Sequence, residues 1–232
     1  QITMPITEIL ARNAKLYGND VSLIELDPDA GIRRELTWSD FDKYANKIAN
    51  SLLANGIKKG DKVAILMMNC LEWLPVYFGI LKTGALAVPL NYRYTADEIK
   101  YCLKLSDSSV LVFGPEFTGR VEEISHRIPD VKYTFYVGED CPTFAESYDR
   151  LVTYCSSKAP DVALSDDDEA AVYFSSGTTG FPKAILHAHK SLVHAALTEQ
   201  AHHSQGRDDV FLCIPPLYQK KKKMHWFGSL LT

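Results

Sequence analysis

Nine consecutive residues, SSGTTGFPK from Ser175 to Lys183, hold two glycines, four hydroxyl side chains and one lysine, and no acid. Such a stretch suits a polyphosphate. Gly177 and Gly180 permit backbone conformations that turn several amides toward one anion, Ser175, Ser176, Thr178 and Thr179 can donate hydrogen bonds, and Lys183 adds positive charge. The pattern is not a Walker A loop, which needs GxxxxGK[ST] opening a helix. Here the glycines are three apart, Pro182 precedes the lysine, and Ala184 to His187 continues as an apolar, strand-like run. The expected arrangement is a loop between two strands, gripping by amides and hydroxyls without a helix dipole as its main device. By composition alone the stretch could equally be a surface turn; the order of its residues separates the two readings.

Three other groups could do chemistry. His187, His189, His194, His202 and His203 fall within 17 residues, but no pair has the three- or four-residue spacing that puts two ligands on one helix face. No zinc site is therefore expected, and His189 reads as a strand-to-helix junction satisfied by backbone contacts. The acids Asp166 to Glu169 read as a solvated charge run before a strand, with metal ligation as the less favoured alternative. The five cysteines, Cys70, Cys102, Cys141, Cys155 and Cys213, lie 14 to 58 residues apart and form no CxxC pair. A reducing, cytoplasmic setting fits them, and the N-terminus shows no signal peptide pattern.

The elements that must position the loop alternate strand and helix. Val63 to Leu81 is apolar for 19 residues, close to the length of a membrane span. Asn69, Glu72 and Pro75 interrupt the run, so it parses as a buried strand (Val63 to Met67), a helix (Leu71 to Thr83) stopped at Gly84 and a second strand (Ala85 to Pro89). Thr95 with Glu98 forms a capping-box pattern, followed by a strand (Ser109 to Phe113), a helix (Glu116 to Arg127) and a strand (Tyr133 to Val137). Upstream, Ile6 to Tyr17 reads as a helix. The run Phe41, Tyr44, Ala45, Ile48, Ala49 and Leu52 reads as another, capped by Ser39 and ended by Gly56, with a hairpin between the two helices. Ser156 to Ala170 is polar and acidic and reads as a linker into the strand AAVYF. This alternation implies an α/β fold with a mostly parallel sheet covered by helices.

Composition sets outer limits. The 232 residues are 46% hydrophobic and 23% charged, the profile of a globular chain with a real core. With 25 Lys and Arg against 29 Asp and Glu, the formal charge is −4, which offers no overall basic field for nucleic acid or an anionic membrane. An anion must be bound locally.

YFSSGTTGFPK resembles the phosphate-binding signature of the adenylate-forming superfamily, which includes acyl- and aryl-CoA synthetases, firefly-type luciferases and nonribosomal peptide synthetase adenylation domains. Other segments agree in order: Leu36 to Arg93 resembles the family's opening region, with LKTGALAVPLN as its second motif, His189 and Leu192 match a His-x-x-Leu pattern, and CIPPLY (Cys213 to Tyr218) resembles the start of the next motif. The resemblance is to an acyl-CoA synthetase most of all. It implies that a carboxylate attacks the α-phosphorus of Mg-ATP, releasing pyrophosphate and forming an acyl-adenylate, before coenzyme A takes the acyl group. It also implies that Thr178, Thr179, Gly180 and Lys183 hold the β- and γ-phosphates with Ser175, Ser176 and Gly177 beside them. Mg2+ would bridge phosphate oxygens. The implied partners are therefore a small carboxylic acid, ATP and coenzyme A, with no nucleic acid and no membrane span. Alternatives are an adenylating enzyme with a non-CoA acceptor, such as a carrier protein or an oxygen-using luciferase, and a non-catalytic nucleotide-binding module.

The family's later motifs, including its C-terminal lysine, have no counterpart up to Thr232. The chain is thus expected to be the N-terminal part of the enzyme, to carry no catalytic residue of its own and to show no turnover alone. Its expected divisions are 1–60 (helices and hairpin packed on a second subdomain), 61–208 (the first α/β subdomain with the loop) and 209–232 (the start of a second). After PPLY, where relatives usually show a histidine and a glycine turn, stand Gln219 and Lys220 to Lys223. The four lysines read as a solvated run, with a patch for coenzyme A phosphates as the alternative. Met224, Trp226 and Phe227 could line an acyl site or serve as plain core. The absence of an aspartate there favours acids without an amino group.

Overall fold

The structure, a computed structural model, describes residues 3–175, 180–194 and, for the backbone, 223–226. The chain order is α1 (Ile6–Leu16), β1 (Val21–Asp27), β2 (Ile32–Thr37), α2 (Trp38–Ala54), β3 (Lys62–Leu66), α3 (Trp73–Lys82), β4 (Leu86–Pro89), α4 (Ala96–Leu105) and β5 (Val110–Phe113). It continues with α5 (Thr118–Ile124), β6 (Tyr133–Tyr136), β7 (Glu146–Ser147), α6 (Asp149–Thr153), β8 (Glu169–Ser175), β9 (Lys183–Ala188) and β10 (Lys223–Trp226). Seven strands form one sheet in the order β7-β6-β5-β3-β4-β8-β9, parallel throughout except for the antiparallel β8–β9 pair. A smaller antiparallel sheet runs β10-β1-β2. This is the expected α/β architecture.

Strand alternation sends neighbouring side chains to opposite faces and so divides the core in two. Val63, Ile65, Val110, Val112 and Phe135 join one layer with α1, α2 and α3, whereas Ala64, Leu66, Leu111, Phe113 and Val172 join another with α4 and α5. Every residue of α3 is buried, which is why its sequence reads as continuously apolar. Pro75 is tolerated in the first turn of α3, where the missing N–H has no intrahelical partner to lose. No helix among the described residues is long and apolar enough to cross a membrane.

Helices α2 and α3 approach closely at Gly79. A Cβ there would lie 2.7 Å from Cβ and Cγ2 of Ile48, so only glycine fits. Beside this contact, the buried ammonium of Lys82 pairs with Asp42 of α2 at 2.8 Å.

Two local expectations are corrected and a third is extended. The N-cap of α2 is Thr37, whose hydroxyl accepts from the Asp40 amide at 3.1 Å, and not Ser39, because the extended backbone ends two residues earlier. The helix expected over 116–127 divides into a 3-10 turn, Pro115–Phe117, and the short α5, after which Ser125 Oγ donates to the carbonyl of Glu122. The third is an addition rather than a reversal: the segment from Ser156 does link into β8 without helix or strand, and Asn46 and Asn50 of α2 anchor it by donating to the carbonyls of Ser156, Ser157 and Lys158 at 2.8–3.0 Å. The capping box at Thr95 and Glu98 is present in both directions.

Candidate functional site

Strand β8 runs parallel to β4, so its carboxyl end opens on the same edge of the sheet as those of β3, β5 and β6. Ligands of open α/β sheets bind at that edge. Strand β9 returns antiparallel from it, with Tyr173 opposite Ile185, Phe174 opposite Ala184 and Ser175 opposite Lys183. The expected strand-loop-strand arrangement is therefore present, and Ser175 and Lys183 stand across from each other at the mouth of the loop. Among the described residues of the loop no helix begins. Gly180 has a φ of +101°, a conformation that L side chains rarely adopt. Lys183 is exposed. Ser176, Gly177, Thr178 and Thr179 lie outside the described residues.

The base of the hairpin is tied down from several directions. The Tyr173 hydroxyl lies 3.0 Å from that of Tyr77 on α3, and its ring meets the edge of His187 at 5.3 Å. His189, 1% exposed, opens the helical stretch 189–194, and its Nδ1 accepts from the Ile6 amide at 3.3 Å. The backbone contact expected for it is thus found, and burial pushes its imidazole down to about 4. Asp168 accepts from the Ser165 amide and from Lys59 Nζ, while its carbonyl receives the His189 amide. The Ser165 amide and then Lys59 hold its carboxyl below the usual range. Asp167 pairs with Lys190. The acidic run therefore fastens the hairpin, a role that its composition did not reveal.

A second cavity, about 480 Å³, lies at the carboxyl ends of β3, β5 and β6, lined in part by Met67, Gly114 and Val137. Its electrostatics are wrong for a triphosphate. Glu25, Glu72, Glu116, Glu139 and Asp149 face one arginine, Arg34, which is held bidentate by both Glu25 and Glu72 at 2.7–3.1 Å. Glu25, Cys70 and Glu72 are the one metal-like grouping among the described residues. They fit a cation poorly, because Arg34 already engages both carboxylates, and because burial followed by the Glu72 charge pushes the Cys70 thiol up and away from the thiolate that a metal needs.

Residues 10–231 match the family described as AMP-binding enzyme. The chain belongs to this family. It is 32% identical over 213 residues to a crotonobetaine/carnitine–CoA ligase of Citrobacter koseri, a match covering 88% of this chain and 40% of the relative. It is 33% identical over 193 residues to the long-chain-fatty-acid–CoA ligase FadD13 of Mycobacterium tuberculosis, covering 82% and 37%. Among solved structures, the anthranilate–CoA ligase AuaEII in complex with anthranoyl-AMP superposes with a TM-score of 0.77 at 29% identity, over 85% of this chain and 37% of that one. The chain spans about two fifths of the length of these relatives. The backbone at Met224 and Trp226 pairs with Glu25 and Leu23 of β1 in the smaller sheet, and Phe227 lies outside the described residues.

Proposed function

We propose that this chain contributes the triphosphate clasp of an ATP-dependent carboxylate ligase, which forms an acyl-adenylate with release of pyrophosphate and then an acyl thioester with coenzyme A. One observation carries the reading: the hairpin of β8 and β9 opens at the carboxyl edge of a parallel sheet, with Ser175 and Lys183 paired across its mouth. The three relatives named above are CoA ligases, which supports the second half-reaction.

In this reading Lys183 neutralises charge accumulating on the leaving pyrophosphate, and Ser175, Ser176, Gly177, Thr178, Thr179 and Gly180 supply hydroxyls and amides that hold the β- and γ-phosphates, keeping the α-phosphorus in line with the incoming carboxylate. The described ends of the loop offer a hydroxyl and an ammonium and no carboxylate, so they fit magnesium carried by the nucleotide's own phosphate oxygens. Magnesium bound with the nucleotide would supply further charge neutralisation there. Met224, Trp226 and Phe227 remain the proposed contacts of an acid without an amino group, and the cytoplasm the proposed setting.

The test uses the full-length parent protein and a panel of carboxylic acids. Acid-dependent ATP–pyrophosphate exchange, followed by CoA-dependent release of AMP, is the expected result. Hydrogen bonds to charged groups are worth about 1.5–3 kcal/mol, so Lys183→Ala should slow exchange roughly 10- to 100-fold or more while the protein stays folded. Unchanged exchange in that variant removes the clasp. The 232-residue chain alone is expected to show none.

A further inference from the structure

The phenyl ring of Phe181, at the far end of the loop, stacks on Tyr101 of α4 with ring centroids 4.5 Å apart and planes 24° from parallel. Eighty positions separate the two residues, and both remain open to solvent, Phe181 at 51% and Tyr101 at 36%. The contact therefore belongs to neither core layer. Helix α4 is itself a fixed platform: the Thr95–Glu98 capping box secures its start, and Ile99, Cys102 and Leu103 bury its inner face. Phe174, the residue before Ser175, packs against that same core layer. Both ends of the loop are thus referred to the layer of α4, one through the core and the other through an exposed stack. Gly180, with its positive φ, sits immediately before the stacked ring.

We propose that Tyr101 is a positioning residue for the phosphate loop, fixing the loop's closing end, residues 180–183, by stacking on Phe181 before a nucleotide arrives. The inference rests on the proposed role of the loop. An exposed aromatic pair contributes little to global stability, but it removes conformational freedom from the segment that must be ordered on binding, and preorganisation of this kind lowers the cost of association. Once the nucleotide is bound, its own contacts hold that closing end in place, so the effect falls on the KM for ATP more than on kcat.

Steady-state kinetics of the full-length parent protein decide the matter, with Lys183→Ala run alongside. Tyr101→Ala should raise the KM for ATP about three- to tenfold, the range expected from an aromatic pair, with kcat and the KM for the acid changed less than twofold. Tyr101→Phe keeps the ring face and should restore the KM. Hydrogen exchange should show faster exchange at the amides of residues 181 and 183–184 in Tyr101→Ala and not in Tyr101→Phe. A KM for ATP within twofold of wild type in Tyr101→Ala, while Lys183→Ala exchange collapses, overturns the positioning role and leaves the clasp standing. Equal impairment of the alanine and phenylalanine variants also overturns it. If Lys183→Ala exchanges pyrophosphate like wild type, the clasp itself fails and the inference falls with it.

Discussion

The Nδ1 atom of His189 accepts a hydrogen bond from the main-chain amide of Ile6, joining the first residue of the first helix to the end of the β8–β9 hairpin across 183 positions of sequence. Only the neutral imidazole can do this, since a protonated ring has no acceptor nitrogen. Burial accordingly lowers its pKa from 6.5 to about 4. Between those two values the unfolded chain binds a proton that the folded chain refuses. Stability from this group is therefore fully present above pH 6.5 and is lost as the pH falls toward 4, by about 2–3 kcal/mol at pH 4.5. Denaturant titrations at pH 7 and 4.5 should show a smaller acid loss in His189→Ala than in wild type by that amount. Parallel pH profiles would mean that another group carries the acid sensitivity.

The Tyr77–Tyr173 hydroxyl pair predicts a specific pattern of coupling. Removing one hydroxyl leaves the other buried without its partner, so Tyr77→Phe or Tyr173→Phe alone should cost about 1–2 kcal/mol. The double variant removes both groups and should cost less than the two single losses added together. A double-mutant cycle by chemical denaturation checks this, and strict additivity would show that the hydroxyls do not interact.

Much of the scaffold was legible because its signals are local. The apolar run broken at Asn69 and Glu72 resolves into β3, α3 and β4, and Thr95 with Glu98 marks the start of α4. SSGTTGFPK was read as a loop between strands from the positions of Pro182 and the apolar residues after Lys183, and β8 and β9 flank it. What escaped depends on distance. Tyr101 meets Phe181 across eighty residues, and Arg34 reaches Glu72 across 38. Asp168 looked like one acid in a run until Lys59 stood beside it. Strand β7 and helix α6 are two and five residues long, too short for any period to register. Side chains that act through such partners carry no mark in their own neighbourhood.

Lys82 and Asp42 make the least forgiving contact between α2 and α3. Their side chains are only 6% and 17% exposed, and the 2.8 Å contact has the geometry of an ion pair without an aligned hydrogen bond at Oδ1. Lys82→Ala leaves the carboxylate buried and uncompensated and should destabilise by about 3–5 kcal/mol. Replacing both partners with apolar residues, as in Lys82→Met with Asp42→Leu, should cost less than Lys82→Ala alone. Thermal or denaturant unfolding of the single and double variants distinguishes a structural ion pair from a dispensable one.

Two glycines should respond to alanine in opposite ways. At Gly79 the backbone is ordinary and space is the limit: the added methyl meets Ile48 at 2.7 Å and must push α2 from α3, an overpacking cost of about 1–3 kcal/mol. At Gly180 no atom lies within 4 Å of the new methyl, and the limit is the φ of +101°. Alanine there strains or redirects one exposed loop residue and leaves the core untouched. Gly79→Ala should therefore lower the unfolding midpoint of the protein, with its ATP dependence preserved in the folded fraction. Gly180→Ala should leave the midpoint nearly unchanged and, with the loop acting as the proposed clasp, depress pyrophosphate exchange in the full-length parent about tenfold, because a redirected backbone at residue 180 would turn its neighbouring amides away from a common anion. Should Gly180→Ala lower stability as much as Gly79→Ala while exchange survives, the glycine serves the hairpin and not the nucleotide.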